Sequence, residues 1–427
     1  MLEFSRGTVK IKPENDFRNP EYLNLNSSLS GTAALQENNL TTENLMRFIH
    51  TADWHLGRIF HGMHLTEDQS RILAGIELLL GDEKPDAYVI SGDIYDRAVP
   101  PTEAVELLSS HLEKVTRDLK VPVIIIAGNH DGAERLDFCS GMMSGSGLHI
   151  SGIFRSGIPP VVIEDSHGPV YFYPVPYADP ERMKLTLGEE NTVTHNSGIA
   201  ICIERIRASH PSGKRAVAMA HAFVNGGSAS DSERPLSVGG AGIVDSSLFS
   251  GFCYTALGHL HGAQSINGTV RYSGSIMKYS ISEACHKKSV SLVEIDREGN
   301  SSVEEIPLSA KRDLRIVEGT LGEILKGNDP CSREDYVAVK LTDREAVYDA
   351  MNRLREVYPN IIHMERTGFS PSDEKPRGER KLMLSELELF SSFYSSVTED
   401  ELSPEQGAFM RDIIEDSLKE EGENEAR

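Results

Sequence analysis

Five short polar motifs stand out in this 427-residue chain: Asp53-Trp54-His55, Gly92-Asp93, Gly128-Asn129-His130-Asp131, His221 and Gly258-His259-Leu260-His261. In Asp-x-His and His-x-His two side chains project from one loop toward a common point, and carboxylate oxygen combined with imidazole suits Mn²⁺, Fe²⁺ or Zn²⁺ better than copper. A carboxylate such as Asp93 could bridge two ions about 3.5 to 4 Å apart, the spacing that clamps the attacking and leaving oxygens of a phosphoryl displacement. Each motif alone has an ordinary reading. The GNHD tetrapeptide could be a turn in which Asn129 and Asp131 cap backbone groups, His221 a satisfied core histidine, and Asp53 with His55 a hydrogen-bonded pair. All five in this order, each following an apolar run, point to metal-assisted hydrolysis of a phosphoester.

The surrounding pattern supplies the strands that such loops need. Short apolar runs alternate with amphipathic periodicity, which predicts an α/β domain. Strands are predicted at 48–50, 87–90, 123–127, 170–175, 216–220, 254–257, 270–273 and 289–295, and helices at 66–80 and 102–119. The later part is expected to be richer in strands than in helices. A small α+β module follows Arg312, with strands at 314–318, 336–341 and 361–366 and a helix over 343–357. The Pro-, Ser- and Gly-containing stretch 368–380 reads as a linker. Two helices are predicted beyond it, at 386–397 and 404–420, the second opening on Ser403 as N-cap with Pro404 at the first helical position. Residues 1–45 are Asn-, Ser-, Thr- and Glu-rich without periodicity and read as a flexible extension, so that Met46 could even be the initiator.

Composition narrows the setting. No apolar run exceeds strand length, which argues against a membrane span. The N-terminus carries no secretory pattern. Five cysteines, odd in number and free of CxxC spacing, argue against a disulfide framework and for a reducing cytoplasm. The formal charge of -22 is the wrong sign for a chain that grips nucleic acid over a broad basic face. Residues 386–427 carry 13 acidic against 3 basic side chains, a net of -10, so almost half of the excess lies in the tail. Bound dications would offset carboxylates in the core; a partner is expected to supply much of the backbone grip.

The series DWH, GD, GNHD, H and GHLH resembles the calcineurin-like metallophosphoesterases. More closely, HTADWHLGR, SGDIYDRAVPP, AGNHD, YTALGHLHGAQ and RYSGSIMKYSISE resemble the SbcD family of nuclease subunits, strongly over residues 46–300 and loosely downstream. The resemblance implies an α/β fold: a two-sheet metallophosphoesterase sandwich flanked by helices, with a small α+β capping domain and C-terminal helices. The implied division is a flexible extension 1–45, a nuclease domain 46–305, a capping domain 306–367, a linker 368–385, and partner-binding helices with an acidic tail over 386–427. It assigns Asp53, His55, Asp93 and His261 to one divalent ion, and Asp93, Asn129, His221 and His259 to the other, with Mn²⁺ the expected metal. His130 becomes the general acid or transition-state stabiliser, a role imidazole can fill because it titrates near neutrality. A metal-activated water would be the nucleophile. The implied activity is exonuclease and endonuclease cutting of DNA ends and hairpins in repair, recombination and replication. The implied partners are double-stranded DNA and an SbcC-type ATPase with coiled-coil arms, in a heterotetramer built on a homodimer. No GxxxxGK[ST] phosphate loop occurs in the sequence, so ATP hydrolysis falls to that partner.

Some residues keep two readings. Archaeal and eukaryotic relatives tend to carry a second catalytic histidine where this chain has Asp96, which could orient His130 or a water, or pair with Arg97; the pairing is the favoured reading. His61 and His64 could touch DNA or simply be exposed. Arg58, Arg97 and Lys278 could meet phosphates or brace carboxylates. Trp54 is expected to pack beneath the site. Phe409, Met410, Ile413, Ile414 and Leu418 form an apolar face that could dock on a partner coiled coil or pack back on this chain. The GDxxDR segment also resembles phosphoprotein phosphatases, but Ala98 stands where those place glycine. A scaffold with a decayed metal site would need a lost ligand, and every expected position is filled.

Overall fold

A computed structural model describes residues 45–192, 194–233, 242–326, 331–343 and 347–367, together with isolated residues between 390 and 413. The predicted extension, save Leu45, the linker and most of the tail lie outside the described residues. Two six-stranded sheets form the main body. The first contains β1 (Met46–Thr51), β2 (Ala87–Ser91), β3 (Val123–Ile126) and β4 (Leu148–Ser151), all parallel. The second contains β5 (Val161–Asp165), β6 (Gly168–Val175), β7 (Arg215–His221), β8 (Tyr254–Gly258), β9 (Gln264–Ser265) and β10 (Val270–Tyr272). β11 (Ser289–Ile295) and β12 (Ser301–Pro307) return to the first sheet as antiparallel strands beside β1.

Strand periodicity decides which side chains go where. Alternate residues of a strand face opposite sides of the sheet, and in this fold both sides are covered. Phe48, Val89, Ile124, Ile126, Val217, Met219 and Ala256 fill the layer between the sheets. Their neighbours Ile49, Tyr88, Ile90, Val123 and Ile125 face α1 (Thr66–Glu83) and α2 (Thr102–Glu113). On the far side Tyr173, Ala216, Ala218 and Ala220 meet α3 (Pro180–Leu187) and α4 (His195–Ser209). Double coverage explains why these strands are near-continuous apolar runs rather than clean alternations.

The sequence reading missed β4, β5, β9, β12, α3 and α4, while strands outnumber helices in the later part as expected. The α4 signal was present: Ile199, Cys202, Ile203 and Ile206 have helical spacing, and Thr194 forms a capping box with Ser197. The helix predicted over 102–119 is α-helical only to Glu113 and then continues as a π-turn over Lys114–Asp118.

A separate three-stranded parallel sheet follows, with β13 (Leu314–Gly319), β14 (Tyr336–Leu341) and β15 (Ile361–Arg366). Two short helices, α5 (Leu321–Leu325) and α6 (Ala350–Arg355), pack on it around Leu354, Val339 and Tyr358. The described helix is thus shorter than the one expected over 343–357. This unit is tied to the main body by Asp68 of α1, which is fully buried and accepts from Arg312 Nη1 at 2.7 Å and Tyr336 Oη at 2.8 Å. Among the described tail residues, 406–411 are helical, and Ser403 is the predicted cap: its Oγ accepts from Gln406 N at 3.2 Å while Gln406 Oε1 accepts from Ser403 N at 2.9 Å. No helix among the described residues is long and apolar enough to cross a membrane.

Candidate metal centre

The parallel strands β1, β2 and β3 of one sheet and β7 and β8 of the other end on the same side of the sandwich, each delivering one motif. The C-terminal edge of parallel strands is where α/β sheets place their sites. Asp53, His55, Asp93, His130, His221, His259 and His261 all come to lie buried there. Hydrogen bonds knit the loops: His259 N donates to Asp53 Oδ1 at 2.9 Å, His130 N to Asp93 Oδ1 at 2.9 Å, and Asp53 N to Gly92 O at 3.0 Å.

Four of these residues have positive φ: Asp53 (55°), His55 (46°), Asp93 (50°) and His259 (108°). A non-glycine residue in that region is uncommon and costs about 1 to 3 kcal/mol, a strain that persists where the surrounding structure imposes it and that clusters at active sites. The glycines of the motifs answer a different need, close approach. A Cβ on Gly128 would stand 2.1 Å from Asp93 Oδ1, and one on Gly258 would stand 1.9 Å from Ser91 O and 2.9 Å from His221 Nδ1. Gly258→Ala is therefore expected to push β8 from β2, destabilise the fold by about 1 to 3 kcal/mol as overpacking does, and weaken metal uptake. Thermal unfolding combined with a metal titration checks both.

The donor atoms fall into overlapping groups, one of which joins His130 to His55 and Asp93. Asp53, His55 and His261 offer ligand atoms all within 4.8 Å of one another, as do Asp53, Asp93 and His221. In the first group His55 Nε2 lies 3.1 Å from His261 Nε2. In the second, Asn129 Oδ1 lies 3.0 Å from His221 Nε2 and 3.2 Å from His259 Nδ1. Asp93 Oδ2 stands between the groups, 3.7 Å from His55 Nε2 and 3.5 Å from His221 Nε2.

Hydrogen bonding at the far side of the rings shows what these approaches mean. His221 Nδ1 donates to Ser91 O at 2.9 Å, which in neutral imidazole leaves Nε2 as a bare lone pair. That lone pair faces the Asn129 carbonyl oxygen, another acceptor. His261 Nδ1 lies 2.6 Å from Ser232 Oγ and 3.3 Å from Glu283 Oε1, so its Nε2 lone pair likewise faces His55. Acceptors turned toward one another at about 3 Å are the spacing of two ligands sharing one cation at roughly 2.1 Å each. The residues present thus fit divalent metal ions, with Asp53, His55, Asp93 and His261 able to hold one and Asp93, Asn129, His221 and His259 the other.

The buried charges respond to one another. Burial alone would raise the Asp93 carboxyl, but the charge of His221 and its hydrogen bond outweigh it and hold Asp93 well below its ordinary value. Burial opposes the charged form of His221 too; in the metal-free chain Asp93 and then Asp53 overcome it and lift the imidazole to about 9, placing on Nε2 a proton that a bound metal ion would displace. Burial raises Asp53 to about 7 and lowers His259 to about 3. Opposed shifts of this size within one cleft mark a functional site.

The remaining candidates divide. His130 Nδ1 donates to the Asp96 carbonyl at 2.8 Å, and its Nε2 lies 4.0 Å from Asp93 Oδ2. Asp131 has the ordinary role, accepting from Gly128 N, Ile94 N and Tyr95 N, whereas Asn129 points into the centre. Asp96 pairs with Arg58 at 2.9 Å, not with Arg97, which is exposed; the neighbour in sequence is displaced by one brought in by the fold. Arg58 also lies over the Tyr279 ring, at 5.1 Å, and so braces the centre. Lys278 binds Asp313 and the carbonyls of Ala284 and Leu314, joining the body to the small sheet. His61 stands beside His363, ring centroids 6.2 Å apart. Trp54 packs beneath the site as expected, its Nε1 donating to Thr51 Oγ1 at 3.1 Å.

Three supporting residues had escaped the sequence reading. Gln69 Nε2 donates to the carbonyls of His55 (2.8 Å) and Trp54 (3.2 Å), while its Oε1 accepts from Gly57 N at 3.0 Å. Tyr279 Oη donates to the Trp54 carbonyl as well. Glu283 accepts at His261. The last two lie in the RYSGSIMKYSISE segment, so a signal existed for them; Gln69 sits in an ordinary helix pattern and gave none.

Comparison with known families matches the calcineurin-like phosphoesterase model over residues 46–193 and the SbcD_C model, described as the type 5 capsule protein repressor C-terminal domain, over residues 310–398. The chain is thus similar to the calcineurin-like phosphoesterases over its first half and to SbcD-type proteins over the module that follows. Among solved structures, a dimetal phosphatase from Danio rerio is 12% identical, with a TM-score of 0.36 covering 62% of this chain and 99% of that one. This phosphoesterase is a metal-dependent phosphodiesterase: its matched family and its clustered aspartates and histidines concur.

Proposed function

We propose that the chain is the nuclease subunit of a DNA-end-processing complex, cutting phosphodiester bonds at DNA ends and hairpins with two Mn²⁺ ions while an SbcC-type ATPase partner controls access. In this reading residues 46–305 are the nuclease domain, 306–367 the capping domain, and the tail helices dock on the partner. The chain works in the cytoplasm, in keeping with its five free cysteines. The observation that carries it is the convergence of Asp53, His55, Asp93, Asn129, His221, His259 and His261 at one end of the sandwich, with Asp93 within 4 Å of both His55 and His221 and His130 beside them. The match to the SbcD_C model over residues 310–398 supports a nuclease over a protein phosphatase.

Bound dications would neutralise charge on the scissile phosphate and lower the pKa of water enough for attack near neutrality. Asp93 and Asp53 supply anionic charge from a desolvated pocket, and the other ligands are fixed in place before substrate arrives, so little reorganisation is needed. His130 is oriented by the Asp96 carbonyl so that Nε2 faces the centre; in its protonated form it hands a proton to the leaving oxygen. The test is hairpin-ended duplex DNA incubated with the chain and its coexpressed ATPase partner, with Mn²⁺ and with chelator. Opening of the hairpin and shortening of the ends, dependent on Mn²⁺, is expected. Hydrolysis of a phosphoprotein with DNA left intact would overturn the reading.

A further inference from the structure

The segment after β10 holds a buried ion pair that the ligand set does not include. Glu283 is completely buried, as is most of Lys288. Lys288 Nζ donates to Glu283 Oε2 at 2.5 Å, to Ser275 Oγ at 2.8 Å and to the His261 carbonyl at 2.8 Å, so all three of its protons are used. The other carboxylate oxygen, Oε1, accepts from Ser232 Oγ at 2.5 Å, Tyr279 N at 3.2 Å and Ser280 Oγ at 3.2 Å, and lies 3.3 Å from His261 Nδ1. Ser232 Oγ in turn lies 2.6 Å from His261 Nδ1. Only one arrangement of protons satisfies this chain of contacts. The serine hydroxyl must donate to the carboxylate, which has no proton to give, so the serine oxygen must accept from Nδ1–H of His261.

We infer that Glu283, locked by Lys288, is the positioning residue that holds His261 in its Nδ1–H tautomer and turns its Nε2 lone pair toward His55 and the metal. The inference rests on the reading of His261 as a ligand. Removing two charges from water is costly and is recovered only where hydrogen bonds are complete. A Glu–Lys pair buried beneath one imidazole, with every polar atom engaged, therefore acts on that imidazole. Outer partners of this kind typically change metal affinity about 10- to 100-fold. The same lysine grips the His261 carbonyl, so the pair fixes both ends of the residue, its ring and its backbone.

The experiment uses the full chain, freed of metal and titrated with Mn²⁺ in a calorimeter, together with ¹H–¹⁵N spectra of the histidine rings. Wild type is expected to bind two ions per chain and to show the His261 ring as the Nδ1–H tautomer. Glu283→Gln is expected to weaken one of the two sites about 10- to 100-fold, leave the other unchanged, and shift the His261 ring signals. The single variant leaves Lys288 unpaired in the interior, so Glu283→Gln/Lys288→Met is measured beside it: its unfolding temperature recovers while the weakened site does not. Failure of wild type to bind two ions would defeat the ligand reading itself. Two ions bound by wild type, with both affinities and the tautomer unchanged in the variants, would overturn the role assigned to Glu283 while leaving the ligand reading intact.

Discussion

Asp93→Ala is expected to lower phosphodiesterase turnover by about three to four orders of magnitude, or roughly 4 to 5.5 kcal/mol at 1.36 kcal/mol per decade. The carboxylate stands between both donor sets, 3.7 Å from His55 and 3.5 Å from His221, and it also accepts the His130 amide at 2.9 Å. Without it neither set keeps enough negative charge to hold a dication against desolvation, and His130 loses its anchor. Metal content measured by emission spectroscopy should fall from two ions per chain toward zero. Asp93→Asn separates charge from shape, because the amide oxygen can still accept from His130 N. It is expected to lose activity nearly as fully. Turnover within tenfold of wild type in either variant would remove Asp93 from the centre.

His130→Gln is expected to leave both metals bound and to reduce turnover by about 10² to 10⁴, the range that a positioned general acid or base contributes. Its ring stands edge-on to His55, centroids 4.7 Å apart, with Nδ1 committed to the Asp96 carbonyl and Nε2 toward the centre. Glutamine can reproduce that donation but cannot carry a transferable proton. His130 also lies within ligand distance of His55 and Asp93, so metal content is the deciding measurement. A variant that turns over at the wild-type rate, or one that loses a metal ion, would refute the assignment of His130 as the proton donor. The pH–rate profile adds a second readout: the limb that the histidine supplies should vanish while the rest persists.

Sequence alone singled out the motifs that the fold gathers at one end of the sandwich. Asp53, His55, Asp93, Asn129, His130, His221, His259 and His261 were legible because each ends an apolar strand in a short polar motif, and parallel strands covered on both faces are strongly patterned. The inner strands of the main sheets emerged for the same reason, while the edge strands did not; Ser403 was legible because its cap depends on residues three apart. Helices α3 and α4 carried local signals that a strand-rich expectation obscured. Tertiary structure alone decided whatever depends on residues distant in sequence. Asp96 finds Arg58 rather than the adjacent Arg97 because the loop after β1 folds over the loop after β2. Asn129 turns inward while Asp131, two residues on, caps backbone, a division no tetrapeptide can announce. Gln69, Ser232, Glu283 and Lys288 acquire their roles only when a helix and two loops close around His55 and His261. Their chemistry is hydrogen bonding to specific atoms, and hydrogen bonds are set by ångström positions that periodicity does not encode.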